Sequence, residues 1–210
     1  MSYYVIPLIL LALVAVFTYY RGTRKNKWIS GFIAKETEAI FKPKDTEYVN
    51  IGGAIGYNFT YKMKAPYTEA KGTFTLIPRH SAFYLPVVFM VGGRDRYYLT
   101  LFVKEKLAGE GHIIEERYFS KISKTITGIE KFKRDRVERE GKAYVLLWDA
   151  PKLEERLKNF LGVAEHPESL KHFCCYRGNS NFYFFIEPKR DEITALLGSL
   201  YPELPKFWEA

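Results

Sequence analysis

The four histidines and two cysteines of this 210-residue sequence, His80, His112, His166, His172, Cys174 and Cys175, are the first candidates for metal binding or thiol catalysis. Only His166, His172, Cys174 and Cys175 fall close together, and their spacing matches no zinc pattern. Adjacent cysteines in an apolar stretch read better as buried strand residues. The run Gly52-Gly53-Ala54-Ile55-Gly56 has the small residues of a phosphate loop. Such a loop also needs a following Lys-Ser/Thr and a helix whose amides face the anion. Tyr57 opens a strand pattern instead, so the run is read as a turn. No serine occupies a Gly-x-Ser-x-Gly elbow, and no carboxylate pair or cysteine–histidine arrangement stands out. Asp149, Glu154 and Glu155 surround a helix start, where the helix dipole favours acids. The sequence therefore assigns no catalytic, cofactor-binding or metal-ligating residue, and the chain is expected not to be an enzyme.

The elements that would position any function begin with residues 5–17, VIPLILLALVAVF, apolar without interruption. Tyr3 and Tyr4 precede the run, Tyr19 and Tyr20 follow it, and the 18 residues so bounded make about 27 Å of helix, enough for a hydrocarbon core of about 30 Å. Paired tyrosines at both ends fit aromatic belts at the two headgroup layers. A cleavable signal peptide would carry its charges before the run and a small-x-small site after it. Here the charges, Arg21, Arg24, Lys25 and Lys27, come after, and the run ends Phe17-Thr18-Tyr19-Tyr20. The expectation is a single-pass transmembrane anchor over 1–20. The basic flank then places the short N-terminus outside and the rest of the chain in the cytosol. Asn58-Phe59-Thr60 fits a glycosylation acceptor, but that topology denies it a lumenal environment. Two cysteines and no disulfide framework agree with a cytosolic setting.

With 47% hydrophobic and 17% aromatic residues, the remainder can bury a sizeable core and is not a disordered tail. Of the net charge of +8, the flank supplies four. A second basic segment, 119–142, includes Lys131, Lys133, Arg134 and Arg136, interleaved with Glu130, Asp135, Glu138 and Glu140. It reads either as a solvated face or loop, or as a surface for anionic lipid or ribosomal RNA held close by the anchor.

Between these, residues 21–44 form a basic exit and an amphipathic helix, with Trp28, Ile29, Phe32, Ile33, Ile40 and Phe41 near one face and Pro43 ending it. Trp28, Ile29, Phe32 and Ile33 are the expected surface against lipid or a small membrane partner, unless they pack on the domain itself. Strand patterns follow at 47–51, 57–63, 71–77, 96–104 and 112–118, while 81–91 is apolar with Pro86 inside and fits helix or buried strand. A strand at 143–149, a helix opened by Pro151 and stopped by Gly162, a hairpin about Gly178-Asn179-Ser180 and a helix from Pro188 give the order β-α-β-β-α. Residues 71–118 also fit β-(α)-β-β. The expected fold is α+β: one N-terminal transmembrane helix followed by a cytosolic α/β domain, with two ferredoxin-like halves at 45–118 and 143–210.

The layout of span, basic exit, WISGFIAKETEAIF helix and α/β domain resembles the calumin family. The likeness is strongest in TFTLIPRHSAFYLPVVFMVGGRDRYYLTLFV (73–103), in 144–161, and in FYFFIEPKRDEITALLGSL (182–200). That resemblance implies an endoplasmic-reticulum protein that partners the small protein Asterix in the PAT complex, a chaperone for multipass membrane proteins at the ribosome-bound translocon. The family's acidic lumenal region and basic coiled-coil tail have no counterpart in these residues, so its calcium binding and mode of ribosome contact do not carry over. The resulting expectation is a membrane-anchored scaffold or chaperone in membrane-protein insertion or biogenesis. Its partners would be the bilayer and a small multipass protein, the Sec translocon or ribosomal RNA, not DNA. The other class of function is an anchored ligand-binding or enzymatic domain with a pocket between the two halves.

Overall fold

The computed structural model describes residues 4–189 and 192–209. Tyr3 of the first tyrosine pair, and Arg190 and Asp191 of the helix expected from Pro188, lie outside the described residues. One continuous helix, α1 (Val5–Phe41), runs 37 residues, about 55 Å at 1.5 Å per residue. The predicted anchor and amphipathic exit are thus one rod. Lys42 caps it in the left-handed region at φ 45°, with its amide bonded to Glu38 O, and Pro43 follows. Among the described residues this is the one helix long and apolar enough to cross a membrane. Its first turns stand clear of the domain, with Leu8, Leu10, Leu13 and Phe17 between 58% and 67% exposed.

The domain is built on one nine-stranded sheet in which every pairing is antiparallel, ordered β1-β2-β3-β4-β9-β8-β5-β7-β6. In chain order the elements are β1 (Asp45–Asn50), β2 (Gly56–Lys62), β3 (Tyr67–Thr75), α2 (Tyr84–Met90), β4 (Arg96–Val103) and β5 (Gly111–Glu115). They continue with α3 (Glu116–Ile122), β6 (Lys133–Arg139), β7 (Lys142–Trp148), α4 (Pro151–Val163), β8 (Leu170–Tyr176), β9 (Asn181–Ile186) and α5 (Glu192–Leu200). A 3-10 segment, Tyr201–Phe207, closes the chain. The fold is α+β.

The β-α-β-β-α order predicted for the second half is present as β7-α4-β8-β9-α5. Its arrangement differs from two separate ferredoxin-like halves. The slot between β7 and β8, which a self-contained unit fills with its own third strand, is filled by β5 from the first half. The halves therefore interleave into a single sheet. Two local expectations also shift. The strand expected over 112–118 stops at Glu115, and Glu116, Arg117 and Tyr118 begin α3, with an acid in its first turn and Lys121 in its last. Within the basic segment, residues 133–139 form edge strand β6, turned onto β7 through Glu140 (φ 47°) and Gly141 (φ 71°). Two consecutive positive-φ residues are what a two-residue hairpin requires.

The second half of α1, together with α4, α5 and the last 3-10 segment, covers one sheet face and buries the main core. Phe59, Phe74 and Tyr97, on β2, β3 and β4, stack at 5.0–5.8 Å between centroids beneath α1. Burying each such ring is worth about 1.5–3 kcal/mol. Phe160 of α4 stacks on Phe173 of β8 at 4.2 Å.

Candidate membrane-boundary groove

The stripe that α1 buries against the domain is Gly22, Asn26, Ser30, Ile33, Thr37 and Phe41. Spacings of three and four put these on one helical face, but the face is mostly small and polar rather than the apolar one expected. The reason is close approach. A Cβ on Gly22 would lie 2.1 Å from Arg79 O, so only glycine lets the connection after β3 rest on the helix. Asn26 then donates from Nδ2 to Ile77 O at 2.9 Å and accepts at Oδ1 from Arg79 Nη1 at 3.0 Å. Arg79 also grips Asp95 bidentately at 2.9 and 2.6 Å, and Asp95 accepts from the Ile77 amide. Both side chains of that pair are mostly buried, which strengthens it over a surface bridge. Lower on the helix, the Thr37 hydroxyl lies 3.2 Å from Tyr97 OH.

Beside this clamp opens a groove of about 460 Å³. Lys25, Trp28, Ile29, Phe32 and Ile33 form one wall; Arg79, Asp95, Pro188, Lys189 and Ile193 form the other. All four residues expected at a membrane or partner surface thus line a single cavity, with different burial. Ile33 is 3% exposed and belongs to the core; Ile29 and Phe32 are partly buried against it; Trp28 is 48% exposed. Trp28 and Phe32 stack at 5.6 Å. The groove has an apolar floor and a basic rim of Lys25 and Lys189, the latter 3.4 Å from Glu192 and 3.6 Å from Glu168.

Arg21, Arg24, Lys25 and Lys27 are all exposed on α1 immediately after the apolar turns. Arg21 lies 6.0 Å over the Phe17 ring. The second basic set is less unified than its sequence. Lys131 precedes β6, and the strand alternates, so Lys133 and Asp135 share one side while Arg134 and Arg136 share the other. Arg136 is held by Glu116 at 3.0 Å and Glu138 at 2.8 Å, and these carboxylates raise its pKa. Asp135 pairs with Lys158 of α4 at 2.8 Å. Lys131, Lys133 and Arg134 have no ion pair among the described residues.

The sheet assembles titratable groups that are far apart in the chain. Register between β5 and β8 puts His112 Nδ1 3.1 Å from His172 Nε2, with the rings stacked and His112 Nε2 3.1 Å from Glu110. Burial first, and the neighbouring ring second, push His172 down to about 3. They line a cavity of about 280 Å³ with Cys174, Tyr183, Thr125 and Thr127. Cys174 and Cys175 are buried free thiols raised by burial, Cys175 to about 12, and so are poor nucleophiles. Lys171 and Glu115 form a buried pair at 2.5 Å, and Lys171 also donates to Glu168 O. His166, Glu168 and Glu192 bring three possible ligand atoms within 4.8 Å of one another. They are engaged with one another and with Lys189 and Ser169. The His112–His172 and Lys171–Glu115 pairs were not legible, because the register of β5 against β8 and not sequence spacing creates them.

No protein-family model and no curated protein matches this chain.

Proposed function

We propose that the chain is a membrane-anchored scaffold of the chaperone type, with its α+β domain on the cytosolic side, serving insertion or biogenesis of integral membrane proteins. The observation that carries this reading is the groove where α1 meets the domain. It places an exposed tryptophan, two half-buried apolar residues and a basic rim just below the apolar turns of the helix. A soluble linker would be polar there, and an apolar cavity just beyond the headgroup layer suits a small multipass partner or a translocon component better than a polar metabolite. The basic flank supports the N-out orientation, and the calumin-like layout supports the biogenesis role. Photocrosslinking residues at positions 28 and 32, in native membranes, test the proposal. Adducts to a membrane protein are the expected result, those from position 28 being lost when Phe32 is changed to serine without a fall in melting temperature. Adducts to lipid alone refute it. Orientation is checked with a cysteine near residue 110, which should label only from the cytosolic side.

A second reading, ligand binding or catalysis, has the His112–His172 cavity in its favour. It ranks lower because the histidines bond to each other and no nucleophile with a lowered pKa adjoins them.

A further inference from the structure

After β3 the chain climbs α1 towards its apolar end. Ile77 bonds to Asn26, the Arg79 backbone rests on Gly22, and the His80 ring meets Tyr19 edge-on at 5.9 Å. From Asn26 to Tyr19 is about 10 Å along the helix axis. Helix α2 follows at once, and the returning chain is fastened to the outgoing one by Arg79–Asp95. Residues 81–93 are therefore a protrusion pinned at both ends, delivered to the level of Tyr19 and Tyr20, where the apolar run of α1 ends.

Its surface is not that of a water-facing loop. Phe83, Tyr84, Val87, Phe89, Met90 and Val91 are 62%, 57%, 48%, 52%, 86% and 78% exposed. Val88 is the one buried residue of α2, and it seats on Gly93. No Asp, Glu, Lys or Arg occurs between Arg79 and Arg94. Cations border the apolar tip, with Arg94 and Arg96 on the return and Arg21 and Arg24 on α1, all exposed. An apolar tip ringed by arginines suits an interface of acyl chains below and anionic headgroups above.

We infer that α2 is a second membrane contact, its apolar face inserted at the headgroup–acyl boundary of the leaflet that α1 leaves. The inference rests on reading α1 as the membrane anchor. Lipid is the occupant because α1 itself sets the bilayer at this height, so a protein partner would have to displace lipid already present. With a helix through the bilayer and a protrusion resting in it, the domain is held at two points and cannot spin about α1.

The test uses the full chain in phosphatidylcholine/phosphatidylglycerol vesicles with nitroxide-labelled single-cysteine additions; the native cysteines are buried. Met90→Cys should be relaxed by oxygen in preference to a water-soluble nickel chelate, at a depth of about 5–10 Å. Lys152→Cys, on α4, should show the aqueous pattern, and Leu10→Cys should read deepest. If Leu10→Cys reads deep while Met90→Cys reads aqueous, the α2 contact is overturned and the anchor stands. Shielding of Met90→Cys from both reagents also overturns it, since protein then covers the tip. If Leu10→Cys itself reads aqueous, the anchor reading falls and takes the inference with it.

Discussion

Replacing Gly22 with alanine is the sharpest check on whether α1 and the domain are one rigid piece. On an isolated helix the change is favourable by about 1 kcal/mol. In this fold the added methyl would lie 2.1 Å from Arg79 O and 2.4 Å from the His80 amide nitrogen, backbone atoms that cannot rotate away. Overpacking of that kind costs typically 1–3 kcal/mol. Moving the connection aside also breaks the Asn26–Ile77 and Asn26–Arg79 hydrogen bonds, about 1 kcal/mol each. The net expectation is a loss of about 2–4 kcal/mol after the propensity gain. Gly31 is the internal control: a Cβ there meets nothing within 4 Å, so Gly31→Ala should gain about 0.5–1 kcal/mol. Both variants are measured as the full chain in mild detergent by urea unfolding, followed by tryptophan fluorescence. If Gly22→Ala matches Gly31→Ala in stability, the helix does not press on the Arg79 backbone and the two-point mounting of the domain is wrong.

Three further outcomes are expected. His172 is held neutral with its pKa near 3, against an ordinary 6.5, so the unfolded chain binds the extra proton first as pH falls through 6.5. Stability should then be full above 6.5 and decline towards 3, by up to about 1.4 kcal/mol per pH unit; His172→Gln should flatten that slope between pH 6.5 and 5 in equilibrium unfolding. Lys171→Met leaves the buried Glu115 carboxylate with only the exposed Arg117, 3.5 Å away, and should cost about 3 kcal/mol, while Lys171→Met with Glu115→Leu should recover most of it in the same assay. Charge reversal of Lys131, Lys133 and Arg134 should weaken binding to anionic vesicles or ribosomes most at low salt, whereas Arg136→Glu should act through the lost Glu116 and Glu138 bridges; absence of any wild-type binding at low salt makes the segment a solvated edge.

Much of the fold was legible because it obeys local rules. The unbroken apolar run, the Pro43 stop, Pro151 at a helix start and the strands ending at glycine turns all depend on neighbours in sequence. What stayed hidden depends on partners far away. The stripe Gly22–Asn26–Ser30 carries no apolar signal, because it exists to let two backbones meet. Strand β6 reads as alternating charge, since Asp135 on one side pairs with Lys158 and Arg136 on the other pairs with Glu116; the Glu140-Gly141 turn was the available clue. Strand β5 leaves its own half for a slot in the other, which no periodicity can announce. At the groove, Trp28, Ile29, Phe32 and Ile33 were legible as one surface, but the opposing wall from Arg79, Asp95 and Pro188 was not.

If α1 spans the bilayer as proposed, its unbroken length turns the membrane into a mechanical input. Helices tilt by about 20° on average, and tilt follows membrane thickness. With no joint between anchor and domain, the sheet must rock with the span. Five strand spacings separate β4, beneath α1, from β6 at the far edge, a lever arm of about 24 Å. A 20° rock carries that edge through about 8 Å, bringing Lys133 and Arg134 towards the lipid surface or lifting them away. The thickness of the host membrane would thus set how far the outer strand reaches.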